Sequence, residues 1–275
     1  MPTFDLDALD NRSEAAMRVV GRFLDHTLVP WFDYRVEGLE RIPEGPALLV
    51  GNHSSGLMPV DGFLFGHAVM QARGLKDVPY ALAHEVALSL PVINEIGVPM
   101  GAIRASHRNA NRVFAAGGKV LVFPGGDREA MRPHRRRYRV GFAGRSGFAR
   151  LALRARVPIV PVVTAGAHST MVILDDLPWL ARRLRTDKWL RTGAFPLAVS
   201  VPWGVTLGPV LPHLPLPTRV RAEVLAPIEP YPTGPEAAED REYVKGLAKE
   251  IERQMQLVMD RLSSRTGLRA RFGLR

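Results

Sequence analysis

An α/β fold, with a largely parallel central sheet flanked by helices, is predicted by three observations. Short apolar runs rich in β-branched residues recur at 47–50, 78–83, 98–103, 119–123 and 158–163. The segments between them, such as 106–116 and 142–154, have the length of single helices, and this alternation is the pattern of strand-helix-strand units. A chain of 275 residues with 46% hydrophobic content can bury one large core, so residues 1–275 are read as a single domain.

The elements follow in chain order. Residues 13–34 place Ala16, Val19, Val20, Phe23, Leu24 and Leu28 at helical spacing, with Arg18, Arg22 and Asp25 on other faces. That spacing predicts an N-terminal amphipathic helix, packed on the core or, through Trp31 and Phe32, meeting a membrane surface. The α/β core is expected over 35–230. It is interrupted at 175–204 by an insertion in which Trp179, Trp189 and Trp203 stand among basic residues. A proline-rich stretch then surrounds one strand at 219–226. The last unit, 240–275, joins a C-terminal helix of about 242–262 to a basic tail. That helix carries Val244, Leu247, Ala248, Ile251, Met255, Val258, Met259 and Leu262 on one face.

Composition narrows the chemistry. Lysine and arginine number 37 against 27 aspartates and glutamates, a net charge of +10, so anionic partners are favoured: nucleic acid, acidic headgroups, phosphorylated substrates or CoA-type thioesters. The absence of cysteine excludes disulfides, thiolate metal sites and a thiol nucleophile. The start, MPTFDLDALDNRSE, is acidic and without a basic-then-apolar run, so no secretory signal is expected. No stretch approaches the roughly 20 apolar residues that span a bilayer. No histidine cluster has metal-ligand spacing; His84-Glu85 comes nearest and is given a structural role.

The chemistry-bearing residues lie after predicted strands, where sites of parallel sheets form. In VGNHSSGLMPVDGF, His53 follows a buried strand and Asp61 opens the next helix. A lone histidine there can be structural, and Asp61 alone can be a helix cap. Together they suit a general base, since a carboxylate that accepts one ring N–H fixes the tautomer and raises the basicity of the other nitrogen. In VFPGGDREAMRPHRRRYR, Gly125-Gly126 permit a positive φ or close approach to a ligand. Arg128 and the arginines after it suit phosphate recognition, though a solvated basic loop also accounts for about half of them. Arg104 is a candidate to hold an anionic substrate and equally to pair with an acid at the core edge.

Four blocks in order, NHSSGLMPVD, GAIRAS, FPGGDRE and VPIVPV (157–162), resemble the glycerolipid acyltransferase family, which includes the lysophosphatidic acid acyltransferases. The likeness covers about residues 35 to 230 and is strongest to the branch of monoacylglycerol- and diacylglycerol-acyltransferase-like proteins. Two departures stand out. The family's usual first-block aspartate position is Met58 here, with Asp61 the nearest acid; and Gly125 replaces the third-block glutamate, with Glu129 four residues later. Pro-Gly-Gly followed by an acid is a pattern of the neutral-lipid branch.

The resemblance implies that His53 deprotonates an acceptor hydroxyl and that Asp61 orients it. It implies that Arg128 binds an acceptor phosphate. Arg104, Gly125, Gly126 and Glu129 are candidates for the substrate side, and amides near Gly125 and Gly126 for holding the tetrahedral oxyanion. Acyl-CoA or acyl carrier protein would be the cosubstrate, with no further cofactor, no metal and no covalent acyl-enzyme. The expected partners are a lipid acceptor, an acyl thioester and a membrane surface, for a cytoplasmic protein peripherally associated with the membrane. Two other readings stand beside it. One is a noncatalytic lipid-binding relative, suggested by Met58. The other is a nucleic-acid-binding protein, which the charge allows but for which no module or interleaved aromatics are seen.

Overall fold

The structure, a computed structural model, describes residues 4–54, 56, 59–189, 192–208, 213–267 and 270. Its strands are β1 (Arg35–Glu37), β2 (Ala47–Gly51), β3 (Tyr80–Ala83), β4 (Ala102–Arg104), β5 (Lys119–Val122), β6 (Ile159–Ala165), β7 (Val172–Asp175), β8 (Leu197–Ser200), β9 (Gly204–Leu207) and β10 (Arg221–Val224). The helices that matter below are α1 (Glu14–His26), α2 (Val60–Arg73), α3 (His107–Ala115), α4 (Gly126–Ala130), α5 (Gly147–Ala155), α6 (Pro178–Leu184) and α7 (Arg241–Ser263).

A seven-stranded sheet of order β1-β10-β6-β2-β5-β3-β4 forms the centre. Strands β6, β2, β5, β3 and β4 are parallel, whereas β10 runs antiparallel to β6 and β1 parallel to β10. Helices cover both faces. Leu48, Val50, Val120, Val122, Ile159 and Val163 point to a core shared with α3, α5 and α7; Ala47, Leu49, Leu121, Val160 and Val162 point the other way, toward Met17 of α1 and Phe65 and Val69 of α2. Burial on both faces is why these strands read as continuous apolar runs. Asp240 caps α7 by accepting from the amides of Glu242 and Tyr243, and its stripe Val244, Ala248, Ile251, Met255, Met259 and Leu262 is buried.

Three expectations need correction. The N-terminal helix ends at His26, and its packed face is Met17, Gly21 and Leu24, leaving Val19 and Phe23 exposed. Asp25, exposed at the edge of that face, fixes the rotation by reaching the buried His67 Nε2 on α2 at 2.6 Å. Phe32, a candidate for membrane contact, is fully buried in a cluster with Tyr34, Val60 and Leu64. The run at 98–103 is a strand only from Ala102, because the Gly101 amide closes a turn onto the Val98 carbonyl at 2.9 Å.

The insertion is wider than 175–204. Strands β7, β8 and β9 pair antiparallel as a second sheet. Its inner residues Ile173 and Ala198 pack with Ala194 and Met171 on Ala130 and Met131, at the end of α4. Trp189's side chain lies outside the described residues.

Candidate active site

Strand β2 delivers its last residues to the carboxyl end of the sheet between β5 and β6. There Asn52, fully buried, ties β2 to β6: its side chain donates to the Thr164 carbonyl at 2.9 Å and accepts from the Thr164 amide at 2.8 Å. His53 follows, its ring stacked on Phe123 with centroids 4.9 Å apart. Its Nδ1 lies 3.1 Å from Oδ2 of Asp61. The Asp61 carboxylate, in the first turn of α2, is buried and also accepts from the amides of Ser54 (2.8 Å) and Gly62 (3.0 Å). Held by those donors, it accepts a hydrogen bond from Nδ1–H and leaves the Nε2 lone pair of a neutral ring outward. The ring is 20% exposed, and Nε2 has no hydrogen-bond partner among the described residues. Burial pulls the His53 pKa down, but the charge and hydrogen bond of Asp61, with Glu129 adding to them, outweigh it and raise the pKa above 6.5.

The peptide of His53 is fixed on both sides. Its N–H donates to Glu129 Oε2 at 2.8 Å, while Glu129 Oε1 accepts from the Gly141 amide at 3.0 Å. Its carbonyl accepts from Arg132 Nη1 at 2.9 Å. Glu129 is only 3% exposed; burial pushes its carboxyl up to about 7, against the pull of Arg132 and the two amides. Glu129 therefore does not line the substrate side as the sequence suggested, because both oxygens are taken by backbone donors inside the protein. Its placement explains Gly125: a Cβ there would collide with Glu129 Oε2 and with the Gly141 carbonyl. The carboxylate occupies the space that a side chain at 125 would need.

A family model described as Acyltransferase matches residues 33–165, a span that holds the whole of this constellation. Residues 33–165 are therefore similar to the acyltransferase family. An uncharacterised protein of Mycobacterium tuberculosis is 35% identical over 199 residues, 72% of this chain and 52% of the relative. The chain thus spans about half the length of the mycobacterial relatives it matches. A mouse protein described as a DGAT1/2-independent enzyme synthesizing storage lipids is 27% identical, over 78% of this chain and 63% of its own. Among solved structures, the 1-acyl-sn-glycerophosphate acyltransferase PlsC of Thermotoga maritima aligns with a TM-score of 0.54. It covers 90% of this chain and 79% of that one at 18% identity, a likeness of fold.

The remaining candidate residues divide clearly. Gly126 takes the expected positive φ of +52°, but its amide donates to the Phe123 carbonyl at 3.0 Å and is not free to hold an oxyanion. Arg128 is exposed beside Gly193 and forms no ion pair with a described residue. Arg104 ends edge strand β4, with β5 and β3 between it and β2, and pairs with Asp7 at 3.4 Å and Glu85 at 3.7 Å; of its two readings, the structure displays the acid pairing. His84 caps the short helix Glu85–Leu88. Met58 lies outside the described residues.

Most arginines of the third block serve the scaffold. Arg132 is buried and bonds to the carbonyls of His53, Glu129, Arg136 and Arg137; Arg145 folds back on Pro124, Gly125 and Asp127; Arg135 and Arg136 pair with Asp175 and Asp176. Asn52, Phe123 and Arg132 are site residues that sequence reasoning missed. Among the described residues, no group of three potential ligands is placed to hold a metal, and no helix is long and apolar enough to cross a membrane.

Proposed function

We propose that the protein moves a fatty acyl group from an acyl thioester, on CoA or acyl carrier protein, to a hydroxyl of a lysophospholipid or glycerolipid, working from the cytoplasm at a membrane surface. The observation that carries this reading is the His53 ring, oriented by Asp61 through Nδ1, with Nε2 unpartnered among the described residues. Nε2 takes the hydroxyl proton as the oxygen attacks the thioester carbonyl. The tetrahedral intermediate collapses with loss of the thiolate, which recovers the proton from the imidazolium. Asp61 stabilises that imidazolium. Proton transfer contributes about 10² to 10⁴ in rate and alignment of the two substrates adds to it.

The test is release of free thiol from an acyl-CoA and acceptor mixture, followed against pH. The base must be neutral, and its pKa is raised, so activity rises with pH along a limb whose midpoint lies above 6.5. Asp61→Asn removes the raising charge, leaving burial to lower the pKa; the limb moves to lower pH while the maximal rate falls about 10²- to 10⁴-fold. An unchanged limb would show that Asp61 does not govern the base.

Acceptor class turns on Arg128. The Thermotoga relative is named for a phosphate-bearing acceptor and the mouse relative for storage lipids, so both classes are in view. Arg128→Ala is expected to weaken a lysophosphatidate acceptor by about 1.5–3 kcal/mol, the scale of a charged hydrogen bond, and to leave monoacylglycerol unaffected. Equal KM changes for both acceptors would remove the phosphate role.

A further inference from the structure

The second sheet wears its large apolar residues on the wrong side for a solvated surface. Ile173, Ala198 and Ser200 face inward and are buried, while Leu174, Val199, Val201, Val205 and Leu207 face outward and are exposed. Val205 and Leu207 are 69% and 56% exposed, and Val205 stands directly opposite Val199 across the ladder. A two-layer antiparallel sheet ordinarily puts polar residues on that face. The apolar surface continues past the sheet: Val201 bridges to exposed Leu214, and the next carbonyl, of Pro215, accepts the indole N–H of half-exposed Trp31 at 2.9 Å. Phe23 and Val19, on the helix that precedes Trp31 in the chain, are exposed as well. Contiguous apolar surface of this extent marks an interaction site.

The helices that leave the sheet directly after β7 are cationic and aromatic. Trp179, Arg182 and Arg183 on α6, Arg185 just after it and Lys188 on the short helix Thr186–Trp189 are exposed; none of these four cations pairs with an acid among the described residues. Tryptophan and arginine on helices leaving an apolar sheet fit the boundary between headgroups and acyl chains, where basic side chains reach phosphates and the apolar face enters the lipid. A second copy fits less well. Two-fold association through this face would set these cations against their own copies, a like-charge contact.

We propose that the outer face of β7, β8 and β9, with the arginines that follow β7, docks on an anionic phospholipid surface. The inference deepens the acyl-transfer reading and rests on it for the presence of a lipid substrate. It also adds a direction. The opposite face of the same sheet packs on the end of α4, the helix that carries Arg128 and Glu129, so docking brings the third block to within one sheet layer of the lipid.

The experiment is flotation of the full chain with phosphatidylcholine vesicles containing phosphatidylglycerol, alongside thiol release with a water-soluble short-chain acceptor. The double variant Val205→Asp, Leu207→Asp is expected to lose about tenfold or more in vesicle partitioning, from the loss of two inserting side chains, with turnover on the soluble acceptor within about twofold of the parent. Arg182→Glu with Arg183→Glu is expected to lose binding to anionic vesicles, and the parent's binding is expected to fall with salt. Undiminished flotation of both variants overturns the proposal. So does a dimeric parent whose apolar-face variant becomes monomeric and still floats. Loss of soluble-acceptor turnover in the parent would strike the acyl-transfer reading alone.

Discussion

His53→Ala is expected to lower the rate of thiol release by about 10³-fold or more at saturating substrates, the loss of both the proton acceptor and its alignment. The fold should survive. The ring is partly exposed, and its removal leaves the Asp61 carboxylate two backbone donors, from Ser54 and Gly62. Thermal unfolding of the variant within a few degrees of the parent, with binding of acyl thioester retained, separates lost chemistry from lost structure. Turnover within tenfold of the parent would assign the base elsewhere.

The second large effect concerns Glu129. Glu129→Leu strands the amides of His53 and Gly141 without acceptors inside the protein, and each buried unsatisfied donor costs about 1–3 kcal/mol. A total of about 3–5 kcal/mol corresponds to a melting point lower by about 10 °C for a chain of this size. In protein that remains folded at low temperature, kcat should fall while KM stays nearly constant, because the residue sets the position of His53 and touches no substrate. Glu129→Gln, which keeps one acceptor and turns an NH2 toward the second amide, should fall between parent and leucine variant. A variant with raised KM and unaltered melting would restore Glu129 to the substrate side.

Glu129 also marks how far the sequence can be read. Its presence after Pro-Gly-Gly is plain, but whether its carboxylate meets a ligand or the backbone depends on Gly125 lying one helical turn earlier and leaving room for it. The central strands were legible because helices cover them twice, so Leu48, Leu49 and Val50 form an unbroken apolar run. The second sheet was not, because Val199 and Val205 point outward while the small residues Ala198 and Ser200 point inward. The usual assignment of apolar residues to the interior fails there. The pair His53 and Asp61 could be named from their places at a strand end and a helix start; Asn52 could have been suspected from adjacency alone. Arg132 could not, since nothing local separates it from the neighbouring arginines, and only its burial under the His53 carbonyl singles it out.

The grip of Glu129 and Arg132 on the His53 peptide comes entirely from the stretch 125–141, and the small sheet supplies none of it. Segment 172–207 is therefore a natural cartridge for chimeras. Under the docking proposal, exchanging it between relatives is expected to change vesicle preference while the base keeps its aim. The graft must retain Thr192 and Gly193, whose hydroxyl and amide donate to Asp127, and Asp175 and Asp176, which pair with Arg135 and Arg136; with the packing of Ile173 and Ala198 on Ala130 and Met131 these form the seam between the two parts.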